Sequence, residues 1–486
     1  MYKKIEILPT PIEKFKLPFQ GQLAEDNRWV IMANLIPWSE FEDEYAKQFT
    51  MEMGAPAKSF RIAIGSLIIK ERLGLSDRET VEQIRENPYL QYFIGLNSYS
   101  NKAPFEASML VHFRQRIDIE LVNKMNRSMV NNNQDKISEE ETEKKLLALK
   151  REEKIDENKN QGKLKLDATC VPADIKYPTD LGLLNQAREQ TEEIIDILYE
   201  ELDKNENKKP RTDRNTARKE YLNVAKKRKP SKKQKRKAIK KQLQYLKRNL
   251  GHIDRLIALG AKLEWLSSQK HKILLVVNEV YRQQLFMYEN SLIRVDDRIV
   301  SLTQPHVRPI VRGKAGSSVE FGAKLSASCY EGYVFLDRIS WDNFNESGDL
   351  KSQVEAFKSA TGYYPESVHV DQIYRTKDNR KWCKERGIRI SGPPLGRPPT
   401  NVSKETKKQA QLDERDRNCI EGKFGEGKRR YSLDRMMTKL SNTSETAIAI
   451  TFLVMNLSAL LRRIIMTFFV SILGNTMFFL FLDLDD

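Results

Sequence analysis

The chain has 486 residues, 40% of them hydrophobic, and carries a formal charge of +16. That length exceeds one ordinary core and that apolar share excludes a disordered chain, so two or three folded domains are expected. The basic balance points to a polyanionic partner, and it is local: residues 208–248 hold 19 Lys/Arg against two acids, Asp213 and Glu220, leaving the remainder almost neutral.

Residues 1–55 are mixed and aromatic-rich, with Trp29 and Trp38, and their function is not legible. Ile62, Ile64, Leu67, Ile68 and Leu73 then recur at roughly helical spacing, which predicts a helix stopped by Gly74. Ser76-x2-Glu79 reads as a capping box that opens a second helix through Ile84, with Pro88 expected to end it. A third amphipathic stretch covers Ser108 to Ile117. Short helices of this kind fit a helix-turn-helix DNA reader and equally a bundle that only packs, because none is basic enough to mark a groove-entering element. The expectation is an all-helical, DNA-binding domain over residues 1–125, followed by a charge-dense linker or solvated helix over 126–160.

Order is expected to return at Lys163. Leu164 to Val171 reads as a strand with Asp167 in its middle, followed by a turn at Pro172 and Pro178 and a helix through Leu184, Ile194, Ile195 and Leu198. The basic segment follows, and Ile239, Leu243, Leu246, Leu250, Ile253 and Ile257 give its second half one apolar stripe. It therefore reads as a helical insertion at about residues 180–290, not a floppy tail. Charge runs are ordinarily solvated faces, but this one repels itself unless phosphates neutralise it, which makes Lys226, Lys227, Arg228, Lys229, Lys235, Arg236 and Lys237 candidates for DNA contact.

Beyond residue 290, Val319–Leu325 and Gly332–Leu336 read as a hairpin turning at Tyr330-Glu331-Gly332. A helix from Leu350 to Ala360, a strand ending at Asp371, a helix over about 377–386 and a short strand Ile388–Ile390 come next. A Gly-Pro loop, Ser391 to Thr400, leads into a polar helix over about 404–424. The order is mixed α/β, and the domain is bounded at 161–445. Residues 446–486 are expected to form apolar C-terminal helices that cover a sheet face or a partner subunit; Ile464 to Leu482 is uncharged and meets the minimum for a membrane span, but polar breaks make a membrane anchor the less favoured reading.

Two strand ends and one helix face can bring Asp167, Asp371 and Glu421 together, and Arg417 and Lys428 lie four residues before and seven after Glu421, close to one and two helical turns. Converging carboxylates repel and invite divalent cations, the usual arrangement for cutting or joining phosphodiesters. Each acid alone has a blander reading as a turn or cap residue, and Asp174, Asp180, Asp342 and Asp378 compete; Asp167 is preferred because it interrupts an apolar strand, where an unpaired charge is costly. His112, His252, His271, His306 and His369 are dispersed, with surface or core roles expected. Cys170, Cys329, Cys383 and Cys419 stand singly, without a CxxC pair, which argues against a zinc site or disulfide framework and fits a reducing cytosol. The first residues, Met1 to Glu6, lack the apolar stretch of a secretory signal.

With Leu166-Asp167-Ala168-Thr169, Val370-Asp371-Gln372-Ile373-Tyr374-Arg375, Arg417-x3-Glu421-x6-Lys428 and the Gly-Pro block Ser391–Pro398 in place, the sequence resembles the DDE transposases of bacterial insertion sequences. The likeness runs from about residue 60 to 463 and is most specific from 163 to 439. It implies an RNase H-like catalytic core, with Asp167, Asp371 and Glu421 as catalytic ligands of two Mg2+ ions, Mn2+ substituting. One metal would activate water and later a DNA 3′-hydroxyl, the other would stabilise the leaving oxygen, and Arg375, Arg417 and Lys428 would hold phosphate oxygens. It further implies binding of terminal inverted repeats in double-stranded DNA, strand cleavage and transfer, a homodimeric synaptic complex, and a cytoplasmic, nucleoid-associated protein. One departure stands out: where the family motif begins with Tyr three residues before the Arg, this chain has Glu414. The rivals are a catalytically inactive DNA-binding protein derived from such an element and a membrane-anchored basic protein.

Overall fold

Capping residues set the limits of the first helices. In the computed structural model, which describes residues 11–49, 56–146, 160–202, 204, 208–314, 317–393 and 403–482, Asn27 caps α1 (Arg28–Leu35) by accepting from Trp29 N–H. A short α2 (Glu42–Ala46) follows. The predicted α3 (Phe60–Leu73) is capped by Ser59 and stops at Gly74, whose φ of 66° is the left-handed conformation that glycine adopts without a Cβ penalty. At α4 (Asp77–Glu86) Ser76 accepts from Glu79 N–H, but the Glu79 carboxylate accepts from Gln83, so only the serine half of the capping box forms.

Pro88 does not end that helix. Asn87 ends it and caps the next, accepting from Tyr89 N–H and Leu90 N–H, and Pro88 is the first residue of α5 (Pro88–Phe93). A first-turn N–H has no intrahelical partner, so proline there loses nothing. Trp29 and Trp38 meet the Phe93 ring edge-on at 5.1 and 5.4 Å, which accounts for the aromatic-rich N-terminal stretch. After α6 (Met109–Arg116), α7 (Ile119–Leu146) runs through the start of the stretch read as linker, and Met129 and Val130 are buried; residues 147–159 lie outside the described residues.

The chain divides into two compact units, one of residues 1–171, 324–340 and 344–486, the other of 172–323 and 341–343. β1 (Lys163–Pro172) closes the first stretch of the first unit, with Leu164 and Leu166 buried on one face. In the second unit come α8 (Asp180–Glu200), α9 (Arg214–Ala225), α10 (Lys232–Ala258) and α11 (Ser268–Glu289). The stripe predicted on α10 is buried at Leu243, Leu246 and Ile253 against α8 and α11, whereas Ile257 is exposed and Leu256 takes its place. Ser231 and Gln234 form a complete capping box at the start of α10, which the sequence reading did not pick out. β2 (Arg308–Lys314), also not anticipated, pairs antiparallel with the first half of β3 (Ser317–Tyr330).

Back in the first unit, β3 and β4 (Tyr333–Ser340) form the expected hairpin, turning at Glu331 and Gly332, both with positive φ. α12 (Leu350–Thr361) leads to β5 (Ser367–His369), then α13 (Lys377–Glu385) and β6 (Arg389–Ile390). The strands lie in the order β4-β3-β1-β5-β6, with β1–β5 and β5–β6 parallel and β3–β4 antiparallel: a mixed sheet in an α/β fold. Of the Gly-Pro block, residues 394–400 lie outside the described residues. α14 (Lys404–Arg430) is the polar helix, six residues longer than expected at its end.

The apolar C-terminal segment is one helix, α15 (Ser441–Leu482), not several. Its first half is core: Phe452, Leu453, Leu457 and Leu460 are fully buried. Asn456 accepts from Val334 N–H at 2.9 Å and donates to Val334 C=O at 2.8 Å, filling the free edge of β4 as a neighbouring strand would. By length and composition Ser441–Thr467 could cross a bilayer, but its apolar window is 72% buried within the protein, the signature of a core helix.

Candidate acidic site and basic helix

β1 and β5 carry the first two acids. Their register pairs Leu164 with Val368 and Lys165 with His369, so two residues further along the same pleat Asp167 comes level with Asp371 on the neighbouring strand, ~5 Å away in the sheet direction. Asp371 sits just past the end of β5, exposed, its carboxylate accepting from Gln372 N–H at 2.6 Å. Asp167 is half-buried and accepts from Ala168 N–H at 2.8 Å.

α14 brings the third. Arg389 of β6 forms a two-bonded pair with Asp413, at 2.7 and 2.8 Å, beside the buried His369 ring of β5. Further along, Lys163 of β1 bonds Asp416 at 2.8 Å. Five residues beyond Asp416 stands Glu421, half in solvent, and the helix is seated by buried Ile420, Phe424 and Gly427. A Cβ at Gly427 would meet the Leu433 side chain at 2.6 Å and Met455 Sδ at 3.2 Å, so any larger residue must shift both.

The electrostatics agree with convergence. Burial, with the Glu421 and Asp371 carboxylates adding to it, pushes the Asp167 carboxyl up to about 6, against the pull of Ala168 N–H and Arg417. Arg417 lies between two carboxylates, bonding Glu414 at 2.6 Å and Glu421 at 2.8 Å, and is held strongly protonated, by Glu414 first. Glu414, the departure from the family motif, thus gives Arg417 a carboxylate where the family has an aromatic ring. Among the described residues no three His, Cys, Asp or Glu side chains are gathered closely enough to hold a metal.

The proposed phosphate-holding residues fall in different settings. Arg375 donates to Val370 C=O at 2.8 Å and its guanidinium packs on Gly392, whose φ of 98° and missing Cβ make the room. Its burial, with nearby Arg380 and Arg417, lowers its pKa. Lys428 lies in the last turn of α14, two turns from Glu421. Lys226, Lys227, Arg228 and Lys229 form the exposed turn between α9 and α10, and Lys235, Arg236 and Lys237 the exposed first turns of α10, all in the second unit. Arg236 stacks over the Tyr288 ring at 4.3 Å. Sequence reasoning missed Asp413, Asp416 and Arg389, the residues that seat α14, because their partners are distant in the chain and only the fold pairs them.

Two transposase families match this chain. Residues 368–458 match the family described as Transposase DDE domain, a stretch that holds Asp371, Arg417, Glu421 and Lys428. The likeness to DDE transposases is borne out. Residues 18–116, the helices α1 to α6, match Transposase domain (DUF772). The chain is also similar to the uncharacterized protein ORF8 in the nfe locus of Rhizobium meliloti, 38% identical over 88 residues, 18% of this chain. It spans 42% of the length of that relative. No solved structure matches.

Proposed function

We propose that the chain is a transposase that binds the terminal inverted repeats of its own element, cleaves the strands and joins the freed 3′-hydroxyls to target DNA. The observation that carries this reading is the level placement of Asp167 and Asp371 on adjacent parallel strands, with Glu421 close enough to raise the Asp167 pKa. The strand order β4-β3-β1-β5-β6, with an antiparallel hairpin on one side of β1, two parallel strands on the other and a helix bearing the third acid, supports the RNase H-like assignment of this core.

In chemistry, though not in their present spacing, the three carboxylates suit a hard divalent cation, and the pKa of Asp167, raised by burial first and then by its neighbours' charge, reflects repulsion that a cation would relieve. Asp167, Asp371 and Glu421 would hold Mg2+, or Mn2+ in its place, once Glu421 exchanges the Arg417 guanidinium for the metal. Bound there, the metal supplies Lewis acidity at the scissile phosphate and a more acidic attacking hydroxyl. Arg417, which bonds Glu414 as well, would then be free to offer its remaining N–H groups to a phosphate oxygen. Lys428 would neutralise phosphate on the same helix, the exposed cations of α9 and α10 would hold double-stranded DNA, and two copies of the chain would pair the two element ends. Such a protein works in the cytoplasm, on the nucleoid.

The test is strand cleavage of duplexes taken from the DNA that borders the coding sequence. Mg2+-dependent nicking that Asp167→Asn and Glu421→Gln each abolish, with duplex binding unchanged, is the expected result. Equal cleavage by either variant would reject the assignment, and duplex binding without any cleavage by the unaltered chain would favour the non-catalytic derivative.

A further inference from the structure

The second unit holds a cleft of about 990 Å3 between α8, the α9–α10 turn, the start of α11 and the segment 298–303. It is at the upper end of sizes that enclose small ligands. Its chemistry comes in three parts. Lys176, Lys227 and Lys235 line it and, among the described residues, have no carboxylate partner; of the two acids that also line it, Asp174 and Asp180, the second is bonded to Arg298 and Gln284. Tyr177 and Tyr221 line it as well, and Tyr177 is 72% exposed although its ring meets Phe321 edge-on at 5.5 Å. The exposed carboxamides of Gln186 and Gln269 complete the lining, without hydrogen-bond partners among the described residues.

A large tyrosine left in water beside an apolar wall leaves its ring face open for a flat partner. Carboxamides offer a donor and an acceptor each, the pattern that reads the edge of a base. Uncompensated lysines ask for phosphate. Paired bases in a duplex show neither faces nor Watson–Crick edges, so the combination selects a nucleotide out of the stack. Lys227 and Lys235 also belong to the run Lys226–Lys237, so a backbone tracking that run passes the mouth of the cleft. This continuity favours a nucleotide within a strand over a free one.

We infer that this cleft binds one unpaired nucleotide of a DNA strand whose backbone follows the basic turn between α9 and α10, with the base against Tyr177. The inference rests on the reading of the chain as DNA-acting, and the fully paired duplex serves as the control that separates the two. The full chain is titrated against a duplex carrying a single unpaired 2-aminopurine, the same duplex fully paired, and free deoxyadenosine monophosphate.

The expected result is quenching of the unpaired 2-aminopurine and about tenfold tighter binding of the bulged than the paired duplex, the usual order for one stacking contact. Tyr177→Ala should remove that preference while leaving the paired duplex bound as before, and Tyr177→Phe should retain it. Equal affinity for both duplexes, or a preference that Tyr177→Ala leaves intact, overturns this inference and spares the broader one. Failure to bind either duplex overturns both. Displacement by the free monophosphate at the concentration of the bulged strand would assign the cleft to a free nucleotide and overturn the strand reading.

Discussion

Asp167 is costly where it stands, and the cost has a measurable pH signature. Its carboxyl is raised from 3.8 to about 6 in the folded chain, by burial first and then by Glu421 and Asp371. Between these two values the folded state binds a proton that the unfolded state has released, so stability falls as pH rises through that window and the penalty is complete above it. Two units correspond to at most roughly 2–3 kcal/mol. Asp167→Asn should therefore raise the urea midpoint at pH 7, with the gain vanishing at pH 4, and Mg2+ should stabilise the unaltered chain more than the variant. A gain over the unaltered chain no larger at pH 7 than at pH 4 would sink this account. Asp167 was legible because a charge inside Leu164–Val171 breaks an apolar pattern. Asp413, although buried, was not: it lies in the polar helix Lys404–Arg430, and only the docking of that helix on β6 shows that Arg389 needs it.

At the scale of elements the periodic signals were readable, and the exceptions have local causes. Alternation gave β1 and the β3–β4 hairpin, and the 3.6-residue period gave α3 and α10. Pro88 misled because proline closes one helix and opens another with equal ease; the capping carboxamide of Asn87 decides which. β5 has three residues and β6 two, too short for a period; both were expected as strands from their apolar runs, but their parallel pairing, β5 on β1 and β6 on β5, follows only from the fold. The apolar end of the chain carries no period either, since α15 is enclosed on all sides through Leu460. The polar Asn456 within that run is explained by β4. Asn456→Leu keeps the branched shape but strips Val334 of partners for both its N–H and C=O, at a cost of roughly 2–4 kcal/mol. Urea unfolding should show this as a lower midpoint, and an unchanged midpoint would mean that the edge of β4 finds other partners.

For the whole molecule, charge is the property that composition revealed first and architecture explains. The 19 Lys/Arg of residues 208–248 lie on the stretch leading into α9, on α9, its turn and α10, within a unit distinct from the one that holds the acids. Removing that segment outright would be a poor test, because Leu243 and Leu246 belong to the core shared with α8 and α11. Substitution separates charge from packing: Lys226, Lys227, Arg228, Lys229, Lys235 and Lys237 are all exposed, while Arg236 is left in place against Tyr288. Changing these six to Gln relieves mutual repulsion in the free protein and removes the cations that neutralise phosphate. Every phosphate no longer neutralised should reduce the slope of log affinity against log salt by about 0.9, so the slope should flatten by roughly 3 to 5. Binding at low salt should weaken most, since counterion release drives it, and the unfolding midpoint should stay or rise. A slope equal to that of the unaltered chain, measured on the same duplex from 50 to about 200 mM salt, would mean that DNA is held elsewhere and that the basic helix serves another polyanion.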